Sequence, residues 1–223
     1  MGLCIPKRFI RIWLGEKEIP EMFEKWWNEF IDIHSGYEFM TITDKSVKDK
    51  VVTIPYYLEP LFKSVSTLAG QSDILRLVLL YELGGIYVDT DVMPLKSFDP
   101  LVVSATKPFI AKRSSKSFES AVIGSPSKHQ AVSDLLKALP KWFNDHIDRS
   151  ASVQTGPAFI SNFWFGRPDV THLPSTAFYP YNGFGAPKRD EKTKMFDERQ
   201  FSKSMYAAHF SNHRWGGKPK SGE

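Results

Sequence analysis

The run Ser72–Asp91, SDILRLVLLYELGGIYVDTD, leaves a chain few ways to fold. Ile74, Leu77, Val78 and Tyr81 recur at three- and four-residue steps, which predicts a helix over Ser72–Leu83. Ser72 is its candidate cap, and Asp73 suits the positive N-terminal end. Gly84 and Gly85 follow, where the backbone must turn to positive φ to end a helix. Ile86-Tyr87-Val88 then predicts a short buried strand that runs into Asp89-Thr90-Asp91. Asp73 and Arg76 stand three apart and share one helical face. In extended backbone, positions i and i+2 point the same way, so Asp89 and Asp91 are expected to converge at the strand's carboxyl end. Two adjacent carboxylates repel unless a cation sits between them or they take different roles. Oxygen ligands suit Mg²⁺ or Mn²⁺, with substrate phosphates filling the remaining positions. A bare Asp-x-Asp is common by chance. The helix, the two glycines and the strand in front of it make this one specific.

Strands and helices alternate around that segment. Lys7–Leu14 and Tyr37–Ile42 predict strands, and Phe109–Ala111 and Ala121–Ile123 are weaker candidates. Glu21–Ile31 predicts a helix carrying Met22, Phe23, Trp26, Trp27 and Phe30, and His129–Asn144 predicts another. Pro55–Leu68 is open between helix and loop. Such alternation implies an α/β fold with a mostly parallel sheet, whose ligands bind beyond the carboxyl ends of the strands. A single domain over residues 1–223 is expected, loop-rich from about 166, as in FYPYNGFGAP (Phe178–Pro187).

Composition excludes several classes. At 42% hydrophobic residues a wholly disordered chain is excluded. The longest apolar run, Ile74–Tyr81, falls short of the ~18 residues of a membrane span and holds Arg76. The net charge of +4 gathers from Lys188 onward, where Lys and Arg alternate with Asp190, Glu191, Asp197 and Glu198. That pattern fits a solvated loop, or a rim attracting phosphates or an anionic membrane surface. No basic stripe interleaves with aromatics, so no nucleic-acid partner is expected. The first eight residues lack the apolar core of a secretory signal, and Pro6 breaks a myristoylation motif. Cys4 is the single cysteine and cannot form an internal disulfide. A cytoplasmic location is the expectation.

The run S-D-I-L-R-x8-G-G-I-Y-x-D-x-D resembles the sugar-binding region of glycosyltransferase family 32. That group includes fungal initiating mannosyltransferases, bacterial capsular-polysaccharide transferases and glucosylating toxin domains. Ile5-Pro6-Lys7 with Ile12-Trp13-Leu14-Gly15 is similar to the family's opening strand, Thr155-Gly156-Pro157 to its Thr-Gly-Pro turn, and His209, Ser211 and Trp215 to its C-terminal segment. The chain departs from the pattern at Ile10, where the family often has His, and at Ser120, where it usually has Asn.

The resemblance implies a GT-A-type, Rossmann-like α/β/α sandwich that transfers a hexose from a UDP- or GDP-linked donor with retention of configuration. The acceptor would be a glycan or glycolipid, with peripheral contact at the inner face of a membrane. The cofactor implied is Mn²⁺, with Mg²⁺ as the alternative. By the same resemblance Trp13 stacks on the nucleobase and Tyr87 lines the nucleotide pocket. Asp73 and Arg76 bind donor-sugar hydroxyls, and Asp89 reaches the ribose, the sugar or the metal through water. Asp91 ligates the metal directly. His209, or else His213, completes the metal site, with Ser211 near the pyrophosphate and Trp215 over it in a loop expected to close as a lid.

Two other classes fit parts of the sequence. Asp89-Thr90-Asp91-Val92 matches the opening motif of a haloacid-dehalogenase-type phosphotransferase, but no Asp-Asp or Gly-Asp-x-x-x-Asp segment follows it. The plentiful aromatics, Trp142, Trp164, Phe165, Tyr179 and Tyr181 among them, fit a non-catalytic carbohydrate-binding module.

Overall fold

The computed structural model describes residues 4–179, 201 and 203–210. In chain order its elements begin with β1 (Arg8–Ile12), α1 (Glu21–Ile33), β2 (Glu38–Ile42), α2 (Asp44–Lys48), α3 (Glu59–Ser64), α4 (Leu68–Glu82), β3 (Gly85–Val88) and β4 (Val92–Pro94). They continue with α5 (Asp99–Val102), β5 (Phe109–Ser114), β6 (Ser117–Ser125), α6 (Gln130–Asp145), α7 (Ala151–Gln154), α8 (Pro157–Trp164), β7 (Thr171–Leu173), a 3₁₀ turn at Ser175–Ala177 and β8 (Ala207–His209). The main sheet has the order β2-β1-β3-β6-β5-β7. β1 pairs in parallel with β2 and β3, and β5 with β7, while β6 alone runs against its neighbours. The expected mixed α/β fold with a mostly parallel sheet is therefore present.

Alternation along the strands divides the core. Ile10, Tyr87, Ile110 and Ile123 face α4, α6 and α8. Phe9, Ile86, Val88 and Phe109 face Trp27 and Phe30 of α1 and the residues around α5. Successive strand residues point to opposite faces, so one sheet closes two apolar layers at once. The result is an α/β/α sandwich whose parallel strands β1 and β3 end side by side.

The start of α4 differs from expectation. Thr67 is its N-cap, accepting the Gly70 N–H on Oγ1 at 3.1 Å, and the helix begins at Leu68. Ser72 and Asp73 thus lie in the second turn. The first turn (Leu68-Ala69-Gly70-Gln71) lacks the apolar period that marks the rest, which hides it from the sequence pattern. The helix stops as expected. Gly84 has φ +65° and Gly85 φ +111°. A side chain at Gly85 would stand 2.8 Å from the Arg8 carbonyl oxygen, so glycine lets β3 enter the sheet against β1.

His34 ends α1 and ties that helix to the start of α5. Its Nδ1 donates to the Phe30 carbonyl at 2.8 Å and its Nε2 accepts the Phe98 N–H at 2.9 Å, which fixes a neutral ring. Burial holds its pKa below the ordinary 6.5, outweighing the opposing pull of the Phe30 carbonyl and Asp99. A depressed pKa means that the unfolded chain takes up the proton first as pH falls, so stability is complete above about 6.5 and lost below it. Urea denaturation at pH 7.5 and 5.5 should show a larger acid loss for the natural protein than for His34→Gln, which keeps both hydrogen bonds without the titration. Identical losses would remove His34 from the acid response.

Candidate active site

From Asp73 to Leu80 every residue of α4 is buried. A helix buried on all sides ordinarily excludes charge, yet Asp73 and Arg76 are 7% and 5% exposed. The two are answered by several partners, although the Arg76 Nε has no hydrogen-bond partner among the described residues. Arg76 Nη2 lies 3.0 Å from Asp73 Oδ1 and 3.2 Å from Asp89 Oδ1. Its Nη1 donates to the carbonyl and the hydroxyl of Ser120, at 2.7 and 2.9 Å. The guanidinium lies over the Tyr87 ring, 4.4 Å from its centroid. Thr155 Oγ1 donates to Asp73 Oδ2 at 3.0 Å. Burial raises the Asp73 carboxyl to about 6 against the opposing pull of Arg76 and the Thr155 hydroxyl. For Arg76 burial works against the charge, but Tyr87, Asp89 and Asp73 together outweigh it and hold the pKa above its ordinary value. A buried ion pair seldom adds net stability over an apolar pair of the same volume. Its place beside the strand ends points to a use in binding.

Asp89 follows β3 directly, with its N–H donated to the Ala121 carbonyl at 2.8 Å. Its own carbonyl accepts the Val92 N–H at 3.1 Å. Asp89–Val92 is therefore a tight turn between β3 and β4, and the extended backbone expected across Asp89 and Asp91 is not there. The carboxylates still converge, because β4 pairs antiparallel with β8 and sets Val92 opposite His209. His209 Nε2 lies 3.2 Å from Asp91 Oδ1 and 3.8 Å from Asp89 Oδ2. One ligand atom from each of Asp89, Asp91 and His209 lies within 4.8 Å of the other two. Two carboxylates and one imidazole at this spacing fit a divalent cation. Burial works to lower the His209 pKa, but Asp91, then Asp89 and Glu119, carry it up to about 9.

Asp89 joins the two clusters. Its Oδ1 takes the Tyr87 hydroxyl at 2.7 Å as well as Arg76, while Oδ2 faces His209. Trp13 stands at the same edge, one residue beyond β1. The Thr90 hydroxyl donates to the Ile12 carbonyl at 3.2 Å, tying that strand end to the turn. Trp13 is partly buried beside the Phe23–Trp26 cluster, and its indole N–H donates to the Lys17 carbonyl at 2.6 Å. Ser211, His213 and Trp215 lie outside the described residues, as does the 180–187 part of the aromatic loop.

Residues 20–107 match the profile of the glycosyltransferase sugar-binding region containing the DXD motif, and that span holds Asp73, Arg76, Asp89 and Asp91. That span of the chain is similar to the family's sugar-binding region. The resemblance to glycosyltransferase family 32 is thereby upheld. Inositol phosphoceramide mannosyltransferase 3 of Schizosaccharomyces pombe is 30% identical over 164 residues, covering 72% of this chain and 45% of that protein. Mannosyl phosphorylinositol ceramide synthase SUR1 of Saccharomyces cerevisiae is 28% identical over 165 residues, covering 72% and 42%. The chain thus spans about half the length of the curated relatives it matches, or less. Among solved structures, PaToxG glycosyltransferase has a TM-score of 0.60 at 20% identity, covering 74% of this chain and 70% of that one. A glycosyltransferase involved in the glycosylation of the major capsid of PBCV-1 has a TM-score of 0.56 at 11% identity, covering 94% and 96%. These likenesses identify the fold as the GT-A glycosyltransferase fold.

The sugar-binding region is completed from outside its own span. Thr155, Ser120 and His209 all lie beyond residue 107. In sequence Thr155 stood out only within Thr-Gly-Pro, and Ser120 only as a departure. Tyr179 was one aromatic among many. It stands edge-on to His209 with ring centroids 5.9 Å apart and donates to the Glu119 carbonyl at 3.2 Å. Gly156 has its own signal. A side chain there would come 3.0 Å from Asp73 Oδ2, so only glycine lets the turn close on that carboxylate. Thr155→Val keeps the shape and removes the donor to Asp73. Buried hydrogen bonds to charged groups contribute about 1.5–3 kcal/mol, so urea denaturation at pH 7.5 should show a loss of that order. Unchanged stability would show that this bond is not made.

Proposed function

We propose that this glycosyltransferase-family chain is a metal-dependent, retaining hexosyltransferase that moves mannose from a nucleoside-diphosphate donor to an anionic glycolipid. The observation that carries the reading is the continuity between two clusters, an ion-holding set (Asp89, Asp91, His209) and a sugar-holding pair (Asp73, Arg76), through the two oxygens of Asp89. The curated relatives, named as an inositol phosphoceramide mannosyltransferase and a mannosyl phosphorylinositol ceramide synthase, support the choice of sugar and acceptor.

Asp91, His209 and Oδ2 of Asp89 would hold the ion, Mn²⁺ in preference to Mg²⁺ because one donor is an imidazole. Bound there, the ion supplies Lewis-acid neutralisation of the charge developing on the departing diphosphate. The remaining work falls to the chain itself. Asp73 and Arg76, aligned by Thr155, Ser120 and Tyr87, hold the hydroxyls of the donor sugar and fix the orientation of its anomeric carbon. Trp13 stacks on the base of a GDP or UDP donor. The anomeric carbon–oxygen bond to the diphosphate breaks as the bond to the acceptor oxygen forms on the same face. The departing phosphate takes the acceptor's proton, so no protein nucleophile is used.

An acceptor of this kind lies at a membrane surface. Val51, Tyr56, Tyr57 and Leu68 are exposed large apolar side chains, and Lys48, Lys50 and Lys63 stand in the same stretch of chain. Interfacial tyrosines with lysines suit anionic headgroups, and we place the membrane contact there, at a cytoplasmic face.

Asp91→Asn removes one charged ligand while keeping the shape. Transfer of mannose from GDP-mannose or UDP-mannose to inositol phosphoceramide in detergent should fall by about 100-fold or more. Calorimetric titration with Mn²⁺ should lose its binding isotherm in the same variant. Full transfer by Asp91→Asn would overturn the assignment of the ion site.

A further inference from the structure

A groove of about 980 Å³ is bounded by the β5–β6 hairpin, the end of α6 and the α7–α8 turn. One wall lies on the side of the sugar pair. Ser152, Val153 and Pro157 line it, and Thr155, between them, donates to Asp73. A side chain at Gly156 would stand 3.0 Å from both the Ser152 Cα and Asp73 Oδ2, so this glycine packs between a groove-lining residue and that carboxylate. On the opposite wall Phe118 lies two residues before Ser120 in β6, on the face that receives Arg76. Both walls thus end on residues that position Asp73 or Arg76.

The lining is charged with one sign. Arg113, Lys116 and Arg149 border the groove, and none of its lining residues is acidic. Among the described residues Lys116 and Arg149 make no ion pair, and Arg113 reaches Glu119 at 3.7 Å with its side chain 38% exposed. Like charges gathered round one concavity repel one another and raise the local concentration of anions. The groove floor supplies other chemistry. Trp142 and Phe165 present rings, with His146 stacked on Trp142 at a centroid distance of 3.9 Å. The Ser152 hydroxyl and the Asn162 amide face outward as exposed polar groups. A neutral saccharide needs the rings and the polar groups but not the cations. The donor's diphosphate is already provided for at Asp91 and His209.

We infer that this groove is an acceptor subsite for the phosphodiester of a polyol headgroup, with Lys116, Arg149 and Arg113 taking the phosphate and the polyol hydroxyls lying towards Asp73. The inference rests on the hexosyltransferase reading above and adds to it a place and a charge for the acceptor. Arginine suits this task because its planar donor fork matches two phosphate oxygens.

The test uses the full chain and glycerophosphoinositol, a soluble phosphodiester of a polyol. Calorimetry should show that the exposed double variant Lys116→Gln/Arg149→Gln binds it at least tenfold more weakly than the natural protein. Binding of GDP or UDP with Mn²⁺ should be unchanged in that variant. Free myo-inositol should bind more weakly than the diester, and inorganic phosphate should too. Equal binding of glycerophosphoinositol by variant and natural protein would overturn the inference. So would equal affinity for inorganic phosphate, which would make the groove a general anion site. An equal loss in the remote, charge-matched variant Lys25→Gln/Lys45→Gln would also overturn it, by showing an effect of net charge alone. Failure of the hexosyltransferase reading would look different, since the natural protein would then bind neither nucleotide with Mn²⁺.

Discussion

One carboxylate carries the organisation of this molecule. Asp89 leaves the end of β3 with one oxygen turned to Arg76 and the Tyr87 hydroxyl and the other to His209. On one side lies a guanidinium kept inside an apolar helix, and on the other an imidazole brought in by a separate small sheet. Arg76 alone in α4 would be a buried, unanswered cation, a strongly unfavourable arrangement. Asp73, Asp89 and Ser120 answer it from three different elements. The same contacts fix α4, β3 and β6 relative to one another at the edge where ligands of such sheets bind. Packing of the helix and preorganisation of the site are here a single set of interactions.

Much of that set was legible in the sequence, because it depends on local spacing. Asp73 and Arg76 share a face by the period of the helix, and Gly84-Gly85 mark where the chain must reverse its φ. The alternation of Phe9 with Ile10 and of Ile86 with Tyr87 states which residues meet which layer. What stayed hidden depends on distance through space. The β8 strand is Ala207-Ala208-His209, too short and too uniform to show a period, so its pairing with β4 has no local trace. Thr155 and Ser120 act on residues far away in the chain, and only their places in family-like segments set them apart. The turn at Asp89–Val92 differs from the extended backbone that Asp-x-Asp spacing predicts, and its side chains converge for another reason, the pairing of β4 with β8. The N-cap at Thr67 leaves no sequence trace because the first turn of α4 has no apolar stripe.

Burial and charge divide the functional edge into zones of different character. Around Asp89 and Asp91 the field is negative and partly answered by His209. One layer over, past Gly156, the groove lined by Lys116 and Arg149 is positive. A diphosphate carried with its cation and an acceptor carrying its own negative charge would be sorted by sign before any shape is tested.

The arrival of His209 on β8 has a consequence for how the protein comes into being. Both aspartates emerge early from a ribosome, whereas the strand that brings the imidazole beside them belongs to the far end of the described chain. Closing so long a loop is an entropic burden that is met late. A nascent chain can therefore build its sandwich and its buried Asp73–Arg76 pair before His209 comes to stand beside Asp89 and Asp91.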